Sequence, residues 1–221
     1  MAIRALFWDS DNTIVDTGEM HWRKHRETLL PMGIVLQDDD RERIYTNNGQ
    51  QNWEWLSRER GLSVSCDDYL QQIDQWYGDH IAEVQMRPGV DDIMTLAAAG
   101  GIHQAIVSNG RRHSVMMSLM PHNIPSRVRF VMCKDDYEGR KPDPAPYLAA
   151  LARLNAESGL SLQASDCLAI EDDPKGVESA VRAGMTVIHR KLSPDQPDAG
   201  NAAFAVYQTN EFVNIFKQIT S

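Results

Sequence analysis

Two carboxylates stand two residues apart in Asp9-Ser10-Asp11-Asn12-Thr13, directly after the apolar run Ile3 to Trp8. A second acidic group, Glu171-Asp172-Asp173-Pro174, follows another apolar run, Cys167 to Ile170. Between them lie Ser108-Asn109-Gly110, after Ile102 to Val107, and Arg140-Lys141-Pro142-Asp143, some residues beyond Val128 to Cys133. Clustered carboxylates suit a hard cation such as Mg²⁺, which takes oxygen ligands and keeps several waters. Hydroxyl, backbone N–H and ammonium groups complement phosphate oxygens. Together these residue types describe phosphoryl-transfer chemistry.

Such groups work only if the chain brings them together. The four apolar runs read as buried strands, and Met185 to His189 and Ala203 to Tyr207 are further strand candidates. Helical segments alternate with them: Val90 to Ala99, a helix after Ser108-Asn109-Gly110, one opened by Pro142-Asp143-Pro144, one from about Lys175, and Glu211 to Ile219. That alternation predicts a parallel, doubly wound, Rossmann-like α/β sheet covered on both faces. In such sheets ligands bind beyond the carboxyl ends of the strands, where all four polar groups fall.

From Thr17 to about Val84 the rhythm is different. Trp22, His25, Arg26, Leu29 and Leu30 recur at helical steps, as do Tyr69, Ile73, Trp76, Tyr77 and Ile81. Gly33, Asn47-Asn48-Gly49 and Gly61 punctuate this stretch as turns. The reading is an α/β core domain of residues 1–15 and 88–221, with a helical domain of residues 16–87 inserted after the first strand.

Composition narrows the partners. Lys and Arg number 22 against 31 Asp and Glu, a formal charge of −9, which repels a phosphate backbone and argues against nucleic acid. The longest stretch free of charged residues, Ile93 to Gly110, holds Gly100, Gly101, His103, Gln104, Ser108 and Asn109 and is too polar for a membrane span. The apolar N-terminus meets Asp9 before a signal peptide could end. Three scattered cysteines, Cys66, Cys133 and Cys167, suit buried thiols in a reducing compartment. A cytoplasmic protein, most simply a monomer, acting on a small molecule is expected.

Each polar group has an ordinary structural use by itself. Asp-x-Asp-x-Thr can form a turn, the run 171–174 and Ser108-Asn109-Gly110 can cap helices, and Lys141 can be a solvated side chain. Their coincidence at one sheet edge is the informative feature. In combination they resemble the haloacid dehalogenase superfamily, in the branch of β-phosphoglucomutase and phosphoglycolate phosphatase. Phe7 to Thr17, with His21 four residues on, resembles that family's first motif. Ser108-Asn109 resembles the second, and Lys141-Pro142-Asp143-Pro144 the third. Ile170 to Val177, with Ala183-Gly184-Met185, resembles the fourth.

The resemblance implies that the inserted helical domain is a cap and that Asp9 is a nucleophile forming an aspartyl-phosphate. It makes Asp11 the general acid for the leaving alcohol and then the base for water. Mg²⁺ is expected on the Asp9 carboxylate, the Asp11 carbonyl and Asp172, with Glu171 or Asp173 acting directly or through water. Ser108, Asn109 and Lys141 are expected to hold the phosphoryl oxygens. The second aspartate, Asp11, points to phosphoryl transfer rather than dehalogenation. A phosphatase of a small phosphorylated metabolite is the leading expectation, with a phosphomutase or a binding protein without turnover as alternatives.

This chain departs from the family pattern at Trp8, Ser10, Asn12 and Asp173. In the cap, His21, Gly49, Gln50 and Asn52 are candidate substrate contacts, the last three within Asn47 to Asn52, where relatives place a specificity loop. No basic residue follows Gly49 until Arg58, which favours a phosphatase over a mutase gripping two phosphates. One of Trp53 and Trp55 is expected in the cap core. Met116, Met117 and Met120 are expected to fill gaps in the core of their helix's packing.

Overall fold

A computed structural model describes residues 3–220. The sequence-based readings at Met1, Ala2 and Ser221, including both ends of the expected core domain, lie outside the described residues. The chain divides into two compact units. Thr17–Gln85 forms one, and the chain up to Asp16 and from Met86 onward forms the other.

The discontinuous unit is built on six strands: β1 (Ala5–Trp8), β2 (His103–Val107), β3 (Val131–Met132), β4 (Cys167–Glu171), β5 (Thr186–Arg190) and β6 (Phe204–Val206). They lie in the order β3-β2-β1-β4-β5-β6, and all their pairings are parallel. This is the strand order of a doubly wound Rossmann-like sheet. Helices α5 (Val90–Ala99), α6 (Arg112–Leu119), α7 (Ala145–Ser158), α8 (Pro174–Arg182) and α9 (Thr209–Thr220) alternate with the strands. Because helices cover such a sheet, its inner strands are apolar throughout rather than alternating, and every residue of β1 and β4 is buried. Phe7, Val107, Met132 and Ala169 pack with Tyr147, Leu151, Leu154, Val177 and Ala180 in one core.

Trp8 is accommodated in the central strand because its indole N–H donates to Gln104 Oε1 at 3.1 Å, and the Gln104 amide donates in turn to the Met94 carbonyl. Two expectations need correction. The third strand is shorter than Val128 to Cys133: regular strand pairing with β2 is confined to Val131–Met132, although the Arg129 N–H and the Phe130 carbonyl also bond to the β2 backbone. The methionines of α6 are not core residues: Val115, Ser118 and Leu119 form its buried face, whereas Met120, just beyond it, is 61% exposed.

The other unit contains α1 (Gly18–Leu29), α2 (Arg41–Thr46), α3 (Gly49–Glu59) and α4 (Cys66–Asp79). It has its own apolar core, including Trp22, Leu29, Ile44, Trp55, Leu56, Tyr69 and Ile73. Trp55 lies in that core, whereas Trp53 packs at its margin with its indole N–H donating to the Val64 carbonyl. The ends of α3 follow local chemistry. Asn48 accepts the Gln51 N–H and the Gln51 side chain accepts the Asn48 N–H, a reciprocal N-terminal cap. No helix among the described residues is long and apolar enough to cross a membrane.

Candidate active site

Strand register brings the acids together. Trp8 of β1 pairs with Ile170 of β4, and the Asp9 N–H extends the ladder by donating to the Ile170 carbonyl at 3.0 Å. Asp9 therefore emerges beside Glu171 and Asp172. On the other side of β1, the Ser108 N–H continues β2 by donating to the Met132 carbonyl. All these strands run the same way, so their polar ends gather at one edge.

Carboxylate oxygens of Asp9, Glu171 and Asp172 lie within 4.8 Å of one another, and all three residues are buried. Lys141 stands among them. Its ammonium donates to Asp9 Oδ1 at 2.7 Å, Glu171 Oε1 at 2.6 Å and the Val107 carbonyl at 2.7 Å. An ammonium has three protons, so all are used. Tyr147 Oη, from α7, donates to the same Glu171 oxygen, and Thr13 Oγ1 donates to Asp172 Oδ1 at 2.9 Å. Gly176 makes room for Glu171: a Cβ there would fall 2.1 Å from Glu171 Oε2.

Charge is not balanced within this group. Burial pushes the Asp9 carboxyl above its ordinary range, with Lys141 opposing. Burial and the Asp9 charge push Glu171 up to about 8 and raise Asp172 well above the usual carboxylate range. Burial disfavours the Lys141 cation, but Asp9 and Glu171 outweigh it and hold its pKa high. Three buried acids around one ammonium make an oxygen donor set that suits a hard divalent cation.

Asp173 does not join this group. It is exposed, and its carboxylate accepts the Lys175 N–H at 2.7 Å as the N-terminal cap of α8. It is not among the three acids whose oxygens converge. Ser108 Oγ accepts the Gly110 N–H at 3.0 Å. The Asn109 side chain brackets Lys141, accepting its N–H at 3.0 Å and donating to its carbonyl at 3.4 Å. Tyr137 Oη donates to the Ser108 carbonyl at 2.7 Å, fixing this loop from beneath.

Asp11 sits in the loop after β1, where the Ile14 and Val15 N–H groups both return to the Ser10 carbonyl. Asn12 is in the left-handed region, φ 57°, a conformation that asparagine tolerates better than most side chains. Ser10 is buried, and its Oγ has no hydrogen-bond partner among the described residues.

A sequence model of the haloacid dehalogenase-like hydrolase family matches residues 6–189. The chain belongs to that family. This haloacid dehalogenase-like hydrolase is 29% identical to protein CbbY of Rhodobacter capsulatus, over 91% of this chain and 89% of the relative. It is 20% identical to a phosphorylated carbohydrates phosphatase of Thermotoga maritima, over 98% of this chain and all of the relative. The crystal structure of a point mutant of CbbY from Rhodobacter sphaeroides in complex with xylulose-(1,5)bisphosphate superposes with a TM-score of 0.81 at 21% identity, covering 95% of this chain and 96% of that one.

The candidate residues of the inserted unit have mixed placements. His21 stacks on Tyr77 with ring centroids 5.4 Å apart. Gly49 opens α3, where a Cβ would meet Leu70 at 2.6 Å, and Gln50 donates to Glu54 at 3.1 Å. Asn52 is not on an exposed loop: it is 1% exposed, its amide donates to the Ile44 carbonyl at 3.0 Å, and its Oδ1 has no hydrogen-bond partner among the described residues. Thr13 and Gly176 stood within the motifs without an assigned role, and Tyr147 and Lys24 carried no signal that singled them out. Lys24 is buried on α1, three residues from His21, with its ammonium 5.3 Å from the centre of the Tyr77 ring.

Proposed function

We propose that this protein is a Mg²⁺-dependent phosphatase that hydrolyses a small phosphorylated metabolite through an aspartyl-phosphate on Asp9. The observation that carries this reading is the buried meeting of Asp9, Lys141, Glu171 and Asp172 at the carboxyl edge of the sheet. The names of relatives that act on phosphorylated carbohydrates support it. Residues 1–15 and 88–221 are the catalytic core in this reading, and residues 16–87 are the cap. The expected protein is a cytoplasmic monomer that engages neither nucleic acid nor membrane.

In the proposed reaction, an Asp9 carboxylate oxygen attacks phosphorus, and the bond from phosphorus to the ester oxygen breaks. Asp11 gives its proton to the departing alkoxide. The Asp11 carboxylate then takes a proton from water as that water attacks the phosphoryl group, which releases phosphate and restores both aspartates. Lys141 keeps Asp9 ionised and places positive charge beside the phosphoryl group. Ser108 and Asn109 belong to the loop that receives its oxygens. The carboxylates of Asp9 and Asp172 and the Asp11 carbonyl would hold the divalent cation. When bound, it neutralises phosphoryl charge as a Lewis acid. Glu171 fixes the ammonium through the oxygen that Lys141 and Tyr147 share, and its other oxygen would serve the cation directly or through water.

Hydrolysis is favoured over phosphate migration because the segment after Gly49 carries no cation before Arg58, and Arg58 is engaged with the Glu54 carbonyl. The test compares wild type and Asp9→Asn on p-nitrophenyl phosphate with Mg²⁺. Turnover by the wild type only, with a beryllofluoride adduct on Asp9, is expected. Equal turnover by the variant rejects the mechanism. A panel of sugar phosphates, phosphoglycolate and nucleotides identifies the substrate class. Conversion of β-glucose 1-phosphate to the 6-phosphate without free phosphate, followed by phosphorus NMR, would favour a mutase.

A further inference from the structure

Arg87 lies just after the point where the chain rejoins the discontinuous unit at Met86. Its N–H donates to the Ile14 carbonyl at 2.8 Å. Its guanidinium reaches further: Nη1 donates to the Asn12 carbonyl at 2.5 Å and to the Arg190 carbonyl at 3.4 Å, and Nη2 donates to the Lys191 carbonyl at 3.1 Å. One side chain thus collects carbonyls from the loop after β1 and from the end of β5. A planar fork with several donors can do this, whereas a single ammonium on a flexible stem cannot reproduce the geometry.

The clamped carbonyl occupies a sensitive place. Asn12 is the left-handed residue of the loop, between Asp11 and Thr13, and Thr13 is fixed by its bond to Asp172. The Ile14 and Val15 N–H groups also close the loop locally onto the Ser10 carbonyl. Fixing the 12–13 peptide from outside pins the chain one residue beyond Asp11 and, through the left-handed Asn12, limits how the 11–12 peptide can turn.

We propose that Arg87 is a positioning residue for catalysis: by holding the Asn12 carbonyl it sets the loop backbone that aims Asp11 at the leaving oxygen. The inference rests on the role of general acid proposed above for Asp11.

A general acid matters in proportion to how poorly the leaving group departs without a proton. p-Nitrophenolate needs little help, whereas an alkoxide needs a great deal. Arg87→Met keeps the length of the side chain and removes every donor. Its kcat/KM for an alkyl monoester is expected to fall about 100-fold, the range a positioned acid contributes, with only a few-fold loss on p-nitrophenyl phosphate. Arg87→Lys is expected to recover part of the alkyl-ester activity, because one donor can still meet the Asn12 carbonyl.

If Arg87→Met fails to fold, the same comparison is read on Arg87→Lys, and a larger loss on the alkyl ester supports the inference. Equal losses on the two esters, or no loss, overturn it. A wild type active on the aryl ester but on no alkyl ester overturns it while leaving hydrolysis standing. A wild type inactive on every ester overturns the phosphatase reading and this inference with it.

Discussion

Lys141 Nζ and Glu171 Oε1 lie 2.6 Å apart, with the two side chains 4% and 1% exposed. The same ammonium also serves Asp9, so deleting it leaves the buried acids either uncompensated or forced to take up protons. Lys141→Met is therefore expected to destabilise the fold by about 3–5 kcal/mol, measured by urea unfolding at neutral pH. Its turnover should fall by at least about 100-fold, as on removal of a group that stabilises developing charge. A variant of native stability and activity would show that the ion pair is dispensable.

Gly176 is expected to be intolerant of any side chain. A Cβ there would lie 2.1–2.4 Å from three atoms of the Glu171 carboxyl group, which is pinned in turn by Lys141 and Tyr147. Gly176→Ala should cost about 1–3 kcal/mol, as overpacking in a close-packed interior does. Turnover should fall with it, since Glu171 cannot move without moving the ammonium. Thermal unfolding and p-nitrophenyl phosphate hydrolysis measure the two effects.

Mg²⁺ is expected to raise the thermal midpoint as well as to support turnover. A ligand that binds only the folded state at 100 times its Kd stabilises it by about 2.7 kcal/mol. Asp172→Asn should abolish that shift, whereas Asp173→Asn should retain it, because Asp173 caps α8 outside the acidic group. EDTA should stop turnover, and Ca²⁺, with its larger and looser coordination, should inhibit. Equal shifts in the two variants would reject the ligand assignment.

Asp136 supplies a pH-dependent element away from the active site. Its carboxylate accepts from Arg112 at 2.5 Å and from the Cys133 N–H at 2.7 Å. Partial burial opposes the charge, but these bonds outweigh it and hold the pKa below the ordinary 3.8. A depressed folded pKa stabilises the protein above 3.8, and that stabilisation disappears as pH falls from 3.8 through the folded value. The stability difference between wild type and Asp136→Asn in urea should be largest near neutrality and shrink over that acidic window. A difference independent of pH would show that the ionised form contributes nothing.

The strand-end acids were legible in the sequence because a parallel sheet puts every carboxyl end at one edge. Asp9 and Asp172 needed only the alternating pattern to be brought together. Asp173 was not separable from its neighbours by spacing, since capping a helix and holding a cation use the same carboxylate. Asn52 misled for a similar reason: an amide after a turn reads as exposed, and tertiary packing buried it. The contacts of Tyr147 and Gly176 with Glu171 were not legible because they depend on how α7 and α8 dock against β4. No single-element periodicity carries that information.

Asp9 continues β1, a fully buried strand hydrogen-bonded on both sides by β2 and β4. Amides in such a strand exchange with solvent deuterium only on global unfolding, while loops open far more often. The backbone carrying the proposed nucleophile is therefore expected among the slowest-exchanging parts of the molecule. Fluctuations brief enough to admit and release an ester can pass through the loops without ever unseating Asp9.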